Sequence, residues 1–206
     1  MRICTMLACS LVFASCSFGG IISFTDITTA SGTIAATPFS DATITISGTA
    51  NTASVTTFAG GFEIVDTFTS VSIGGLGTYD FTTAVGFFVN NTEDLVGFQR
   101  ADDGDLIDGP NNAAFGTWDL NTSIGPIAGT GSVLQWTTSA VDTTGGQLIL
   151  DNASPSVSFA ASVAPVPEPG TLMLLGTVLL GLGGSAKRKF FSSGSISRLY
   201  ESAGGH

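Results

Sequence analysis

The chain has few cationic side chains, and almost none lie in its central part. Of the 6 Lys and Arg residues, only Arg100 falls between residues 17 and 164, a stretch that contains fourteen Asp and Glu residues. The formal net charge is −10. An acidic surface of this kind repels phosphate backbones, so the composition excludes nucleic acid as a partner. It is compatible with divalent cations and with neutral partners such as polysaccharide.

Cysteine and histidine are absent from the same central part. The three cysteines are Cys4, Cys9 and Cys16, and the single histidine is His206. The central part therefore forms no internal disulfide, and it lacks both the usual neutral-pH base and the commonest zinc ligand. Serine-hydrolase and thiol chemistry need such groups to activate a nucleophile. We predict a protein without enzymatic activity, held together by packing or by a metal ion.

Residues 1–17 are predicted to be a signal peptide that forms a helix. Arg2 precedes an apolar stretch over residues 3–14, and small residues follow up to Ser17. A charged start, a short apolar run and a small-residue exit are typical of secretory signals. The run is too short for a stable membrane span, which favours cleavage. A lipobox that would lipidate Cys16 and a buried N-terminal strand are the alternatives.

The C-terminal part contains a proline motif, an apolar segment and a basic cluster in close succession. The apolar segment, residues 171–186, would span roughly 24 Å as a helix at about 1.5 Å per residue, which suits a thinned bilayer. We predict a single transmembrane helix, with its basic flank and residues 187–206 in the cytoplasm and everything before Pro167 outside. A buried core helix is the alternative. The motif is Val166, Pro167, Glu168, Pro169 and Gly170, and the basic cluster is Lys187, Arg188 and Lys189.

This succession of segments resembles the PEP-CTERM sorting signal, which is also called the ice-binding protein C-terminal domain. The resemblance covers residues 165–189 only. It implies recognition by an exosortase, a membrane-embedded transpeptidase-like enzyme, near Val166 to Gly170, after transient anchoring through the C-terminal helix. It also implies a destination at the cell surface or in the matrix of bacteria that make exopolysaccharide and biofilm. The chain departs from the family by continuing over residues 190–206, an extension that would impair processing or form a cytoplasmic tail.

Between the two ends, residues 18–162 are predicted to form a β-rich ectodomain, and residues 163–170 a proline-containing linker. Segments rich in Val, Ile, Thr and Phe alternate with Gly, Asn and Asp clusters, as in strands joined by turns. We predict an antiparallel β-sandwich or jelly roll of about eight to eleven short strands. The predicted strands are residues 43–47, 63–68, 79–90, 95–100, 132–138, 147–150 and 156–162. The predicted large core residues are Phe87, Phe88, Trp118, Trp136 and Phe159.

Threonine is abundant in this ectodomain, and a regular array of it would suggest an ice-binding surface. Thr43 with Thr45 and Thr67 with Thr69 form isolated pairs rather than a ladder of fixed period, so no solenoid is predicted. We interpret these threonines as ordinary solvent-facing residues of strands.

One acidic segment, residues 102–111, is a candidate metal site. Several carboxylates on a glycine-containing loop can surround Ca²⁺, which binds six to eight oxygens. The predicted ligands are Asp103, Asp105 and Asp108, with a structural role, although the residue order of an EF-hand is absent. An exposed acidic turn is the alternative.

Three functions are compatible with these features. The first is a non-enzymatic surface or matrix protein. The second is a calcium-stabilised carbohydrate-binding module that uses an exposed aromatic side chain such as Trp118 or Tyr79. The third is a glycoside hydrolase, which would need two carboxyl groups about 5–9 Å apart. Glu63 and Glu93 are the only glutamates of the ectodomain.

Overall fold

The structure is a computed structural model of the 206-residue chain, and it describes residues 19–101 and 104–164. The predicted signal peptide, sorting motif, transmembrane helix, basic cluster and tail lie outside these residues, as does Asp103. All described residues belong to one compact unit. Within the described ranges, no helix has the length and apolar character needed to cross a membrane.

The described part is built from antiparallel β-strands, as the sequence predicts. Three short 3₁₀ helices, Thr52–Ser54, Ala113–Thr117 and Gln135–Thr137, lie in the connections. In chain order the strands are β1 (Ile21–Ile34), β2 (Thr37–Asn51), β3 (Thr56–Phe58), β4 (Gly61–Val65), β5 (Phe68–Ile73), β6 (Gly77–Asp80), β7 (Val85–Asn90), β8 (Leu95–Arg100), β9 (Asp105–Asn111), β10 (Ile124–Thr130), β11 (Ser132–Val133), β12 (Val141–Thr143), β13 (Gly146–Ala153) and β14 (Ser156–Val163).

These strands form two sheets. The first has the order β10-β14-β1-β2-β5-β6, with β13 paired to β1 and β12 paired to β13. The second has the order β11-β9-β8-β7-β4-β3. The long strand β1 is shared, since its first half pairs with β14 and its second half with β13. The chain crosses from the second sheet to the first at residues 66–67, and back again at residues 81–84.

The core lies between the sheets and is rich in aromatic rings. Phe24 of β1 stacks on Phe87 of β7 with ring centroids 4.6 Å apart, which joins the two sheets directly. Trp136 is fully buried, and its indole N–H donates a hydrogen bond to the Leu148 carbonyl at 3.0 Å. All five predicted core residues are buried, which confirms that prediction. Phe88 alone among them lies outside the main cluster and packs against Phe58.

Several predicted strands are wrong in extent. Residues 63–68 and 79–90 each contain parts of two strands that belong to different sheets, because Val, Thr, Phe and other residues of high β-propensity continue through the crossings. Residues 132–138 form only the short strand β11, followed by the 3₁₀ helix Gln135–Thr137. Most of the segment predicted as an acidic loop is the strand β9. By contrast, residues 95–100 coincide with β8.

Candidate functional site

The acidic segment places two of its predicted calcium ligands on one strand. Asp105 and Asp108 both lie on β9, and the pairing of β9 with β8 is irregular between them. Burial, together with the negative charges of Asp105 and Glu93, raises the pKa of Asp108 to about 6. Its Oδ1 atom is buried and accepts no hydrogen bond from a described residue.

Asp103, the third predicted ligand, lies outside the described residues. Within residues 19–101 and 104–164, no group of three His, Cys, Asp or Glu side chains is arranged to hold a metal ion. The calcium site at Asp103, Asp105 and Asp108 stays a prediction.

Trp118 is a core residue and not an exposed platform for a sugar. Its side chain is 4% exposed, its indole N–H donates to the Thr122 carbonyl at 2.9 Å, and its ring packs against Phe159. The expectation of an exposed aromatic at Trp118 is wrong, because the connection after the second 3₁₀ helix turns the ring inward. Tyr79 is half-buried, and its hydroxyl donates to the Leu76 carbonyl at 3.3 Å.

The two glutamates of the ectodomain interact with different groups. Glu63 on β4 accepts hydrogen bonds from the Thr56 hydroxyl at 3.3 Å and from the Gln99 amide at 2.9 Å. Glu93 lies in the turn between β7 and β8, where its charge acts on Asp108. Glu63 is thus held by neutral partners, whereas Glu93 belongs to the acidic region around β9.

A pocket that the sequence did not predict lies where the chain crosses twice between the sheets. It has a volume of about 220 Å³ and is lined by residues 66–69 and 81–85. Backbone hydrogen bonds fix its walls: the Asp66 N–H donates to the Val85 carbonyl at 3.0 Å, and the Phe81 N–H donates to the Thr69 carbonyl at 2.9 Å. Such bonds give a pre-formed cavity, as is usual for ligand sites. We name it the crossover pocket.

The carboxyl group of Asp66 is held in the wall of the crossover pocket. Its Oδ2 accepts a hydrogen bond from the Thr69 hydroxyl at 2.7 Å, while its buried Oδ1 has no partner among the described residues. Gly48 leaves room for it, since a Cβ there would lie 2.4 Å from Oδ2. Burial raises the pKa of Asp66 to about 8, and the hydrogen bond from Thr69 offsets part of this effect. The raised pKa favours the protonated form of the carboxyl, which carries an O–H donor.

Serine and threonine cover the outer face of the first sheet beside this pocket. Three rows of paired residues cross β14, β1, β2 and β5 on that face, and we name these twelve residues the hydroxyl face. The rows are Ser162–Ser23–Thr49–Phe68, Ala160–Thr25–Ser47–Ser70 and Ser158–Ile27–Thr45–Ser72. None of the twelve is charged, and all but Phe68, Ala160 and Ile27 carry a hydroxyl group. Two shallow grooves of about 300 Å³ each lie along β1 and β14 on this face.

Phe68 belongs to both surfaces. It ends the first row of the hydroxyl face, it lines the crossover pocket, and its side chain is 52% exposed. Thr45, which the sequence presents as one of an isolated pair, stands within the hydroxyl face. The hydroxyl face is formed by residues from four different strands, so no periodic pattern along the sequence predicts it.

A second buried carboxyl group lies in the core. Asp26 is on the inward side of β1, 2% exposed, and neither of its oxygens has a hydrogen-bond partner in the described part of the chain. Burial raises its pKa to about 8, and the nearby backbone N–H of Ile27, which does not reach hydrogen-bond geometry, offsets part of this effect.

Comparison with known proteins identifies the tail. Residues 165–189 match the model of the PEP-CTERM protein-sorting motif, which confirms the resemblance seen in the sequence. The chain thus carries a C-terminal sorting signal of this family. No curated protein and no solved structure matches the chain. The match covers the tail alone and leaves the ectodomain unassigned.

Proposed function

We propose that this chain is an exported surface or extracellular-matrix protein that an exosortase-type enzyme processes between Val166 and Gly170. The observation that carries the proposal is the sorting motif at residues 165–189, directly behind the folded ectodomain. The last strand, β14, ends at Val163, and the Ala164 N–H donates to the Ile21 carbonyl at 2.8 Å. Cleavage within the motif would therefore leave every strand of the ectodomain in place.

The proposed role of the ectodomain is structural or adhesive, without catalysis. Its lack of histidine and cysteine and the neutral hydrogen-bond partners of Glu63 support this role. The apolar segment at residues 171–186 would anchor the precursor in the membrane before processing. The basic cluster that follows it, Lys187, Arg188 and Lys189, would stay on the cytoplasmic side. Among the alternatives, binding of a neutral polysaccharide such as exopolysaccharide is supported by Phe68 and the hydroxyl face. Phe68 would take the role of the exposed aromatic side chain that the sequence analysis gave to Trp118.

Fractionation of cells that express the chain with an epitope tag at residue 18 tests the sorting proposal. The mass of the mature protein, measured by mass spectrometry, should correspond to a chain cut after the signal peptide and again within residues 166–170. Deletion of residues 166–189 should abolish the second cut and release the ectodomain without anchoring. Deletion of residues 190–206 is the matched control, and it should leave the second cut intact or improve it.

An unchanged C-terminus in the wild-type chain, or identical processing after deletion of residues 166–189, would contradict the proposal. The same mass measurement decides the state of Cys16, because a lipidated N-terminus adds a diacylglyceryl mass that simple signal cleavage does not.

A further inference from the structure

The crossover pocket combines an exposed aromatic ring with fixed polar groups. Phe68 forms part of its rim, and Thr67 and Thr82 are exposed threonines beside it. The backbone of Thr82 is held by a hydrogen bond from its N–H to the Asp142 carbonyl at 2.9 Å. Ligand sites typically pair such an apolar surface with a few well-placed polar groups, which fix the orientation of the ligand.

The polar groups of the pocket are of a kind that suits ligand hydroxyls. A threonine hydroxyl both donates and accepts, and a protonated carboxyl does the same. Asp66 has one oxygen engaged by Thr69 and one buried oxygen without a described partner. Because Oδ1 of Asp66 is buried, the exposed threonines Thr67 and Thr82 provide the hydroxyl groups that a ligand in this cavity would meet.

Charge argues against anionic ligands at this position. No Lys or Arg lines the pocket, and the guanidinium of Arg100 donates to Ser139 and Ala140 instead. An anion would therefore find no cationic side chain in the pocket, and it would be repelled by a chain whose net charge is −10.

The hydroxyl face extends the pocket into a longer surface of the same chemistry. It continues from Phe68 across four strands, which at about 4.8 Å per strand is roughly 14 Å. A second copy of this chain is a poor occupant, since serine is depleted in protein–protein interfaces and the face offers little apolar area. A chain of linked, uncharged, hydroxyl-bearing units matches both the pocket and the face.

We propose that the crossover pocket and the hydroxyl face bind a neutral polysaccharide, with one sugar ring against Phe68 and beside Thr82. The remaining units lie across the serine and threonine rows, where their hydroxyl groups exchange hydrogen bonds with the sheet. This assignment is independent of the sorting proposal, because purified protein binds or fails to bind whatever its route to the surface.

Binding of the purified full chain to a panel of soluble polysaccharides tests the assignment. The panel contains neutral dextran, mannan, galactan and cello-oligosaccharides, with anionic alginate for comparison. We expect a neutral member to bind, and Phe68→Ser and Thr82→Val each to weaken binding about three- to tenfold, the effect of one lost contact or hydrogen bond. Thr57→Val, at an exposed threonine on β3, is the matched control and should bind as the wild type does.

Amide chemical shifts of the wild-type chain provide a second measurement that requires no variant. Titration with the bound polysaccharide should move the signals of Thr67, Phe68, Thr82 and Thr83 first. The proposal is overturned by the absence of binding to every neutral polymer, by binding to alginate alone, by equal affinity of both variants and the wild type, or by shift changes confined to other parts of the ectodomain.

Discussion

Asp26 places a carboxyl group in the core, and this should make the stability of the protein depend strongly on pH. In the unfolded chain this carboxyl ionises near its ordinary pKa of 3.8, whereas in the folded chain burial raises the pKa to about 8. Between these values the folded state holds one more proton than the unfolded state. The free energy of unfolding must therefore fall as the pH rises through this window, by about 1.4 kcal/mol per pH unit.

The substitution Asp26→Asn isolates this contribution. The amide has nearly the shape of the carboxyl and stays neutral at every pH, so the variant loses the dependence that Asp26 causes. Asp66, whose pKa burial also raises to about 8, adds a dependence of the same sign, but it does so in both proteins and cancels in the comparison. Relative to the variant, the wild type should lose about 3 kcal/mol between pH 5 and pH 7.5.

Urea unfolding followed by tryptophan fluorescence measures this difference, because Trp118 and Trp136 are both buried and report on the loss of the core. Asp41→Asn, at an exposed position in β2, is the matched control and should unfold in parallel with the wild type at each pH. If the curves of wild type and Asp26→Asn remain parallel from pH 5 to pH 7.5, Asp26 is either hydrated or ionised in the folded state. The description of the core around β1 would then be incorrect.

Three further outcomes are expected. Gly48→Ala should lower the free energy of unfolding by about 1–3 kcal/mol, because the added Cβ would lie 2.4 Å from Asp66 Oδ2 and 3.0 Å from the Phe87 ring. Ser47→Ala, on the opposite side of β2, is the control and should change the free energy of unfolding little. Trp136→Ala should cost about 3–5 kcal/mol in the same urea assay, and a loss below about 1 kcal/mol would show that its site collapses freely. Millimolar Ca²⁺ should raise the melting temperature of the wild type but not of Asp105→Asn or Asp108→Asn, and an unchanged wild type would remove the predicted calcium site.

The sequence predicted strands where one side is apolar and the other polar. Residues 95–100 and 156–162 were recognised because Val96, Phe98, Val157 and Phe159 alternate with small or polar residues, and all four are buried. Alternation also predicted the core side of β2. The sequence failed at the crossings, since residues of high β-propensity such as Thr67 and Phe81 lie in the connections between strands of different sheets.

The strand β1 escaped prediction for a different reason. Its inward positions include Asp26 and Thr28, which interrupt the apolar period, although both side chains are buried. Only pairing with β14, β13 and β2 makes the extended conformation favourable over 14 residues. Because β-propensity depends on neighbouring strands, a strand of this kind is fixed by tertiary context rather than by its own sequence.

The crossover pocket could not be predicted, because two connections separated by β5 and β6 form it. One local signal existed, since Asp66 follows the apolar residues of β4 and precedes Phe68. The reason that Asp66 is tolerated there lies on another strand, at Gly48, and in the hydroxyl of Thr69. Contacts of this kind, between residues of different strands, can be predicted only when the register of the sheet is known.

The composition of the hydroxyl face is not explained by folding alone. The strands β1 and β2 need apolar residues only on their inward sides, and solubility of the outer sides would be met equally well by charged residues. The chain uses carboxylates freely elsewhere, on β9 and in the turn between β7 and β8. Yet the twelve paired positions on β14, β1, β2 and β5 contain none. Exposed carboxylates begin directly beside these positions, at Asp80 of β6, which pairs with Ser70. The uncharged area is therefore bounded by charge, and the neutral hydroxyl-bearing polymer proposed above is a partner whose chemistry would match it.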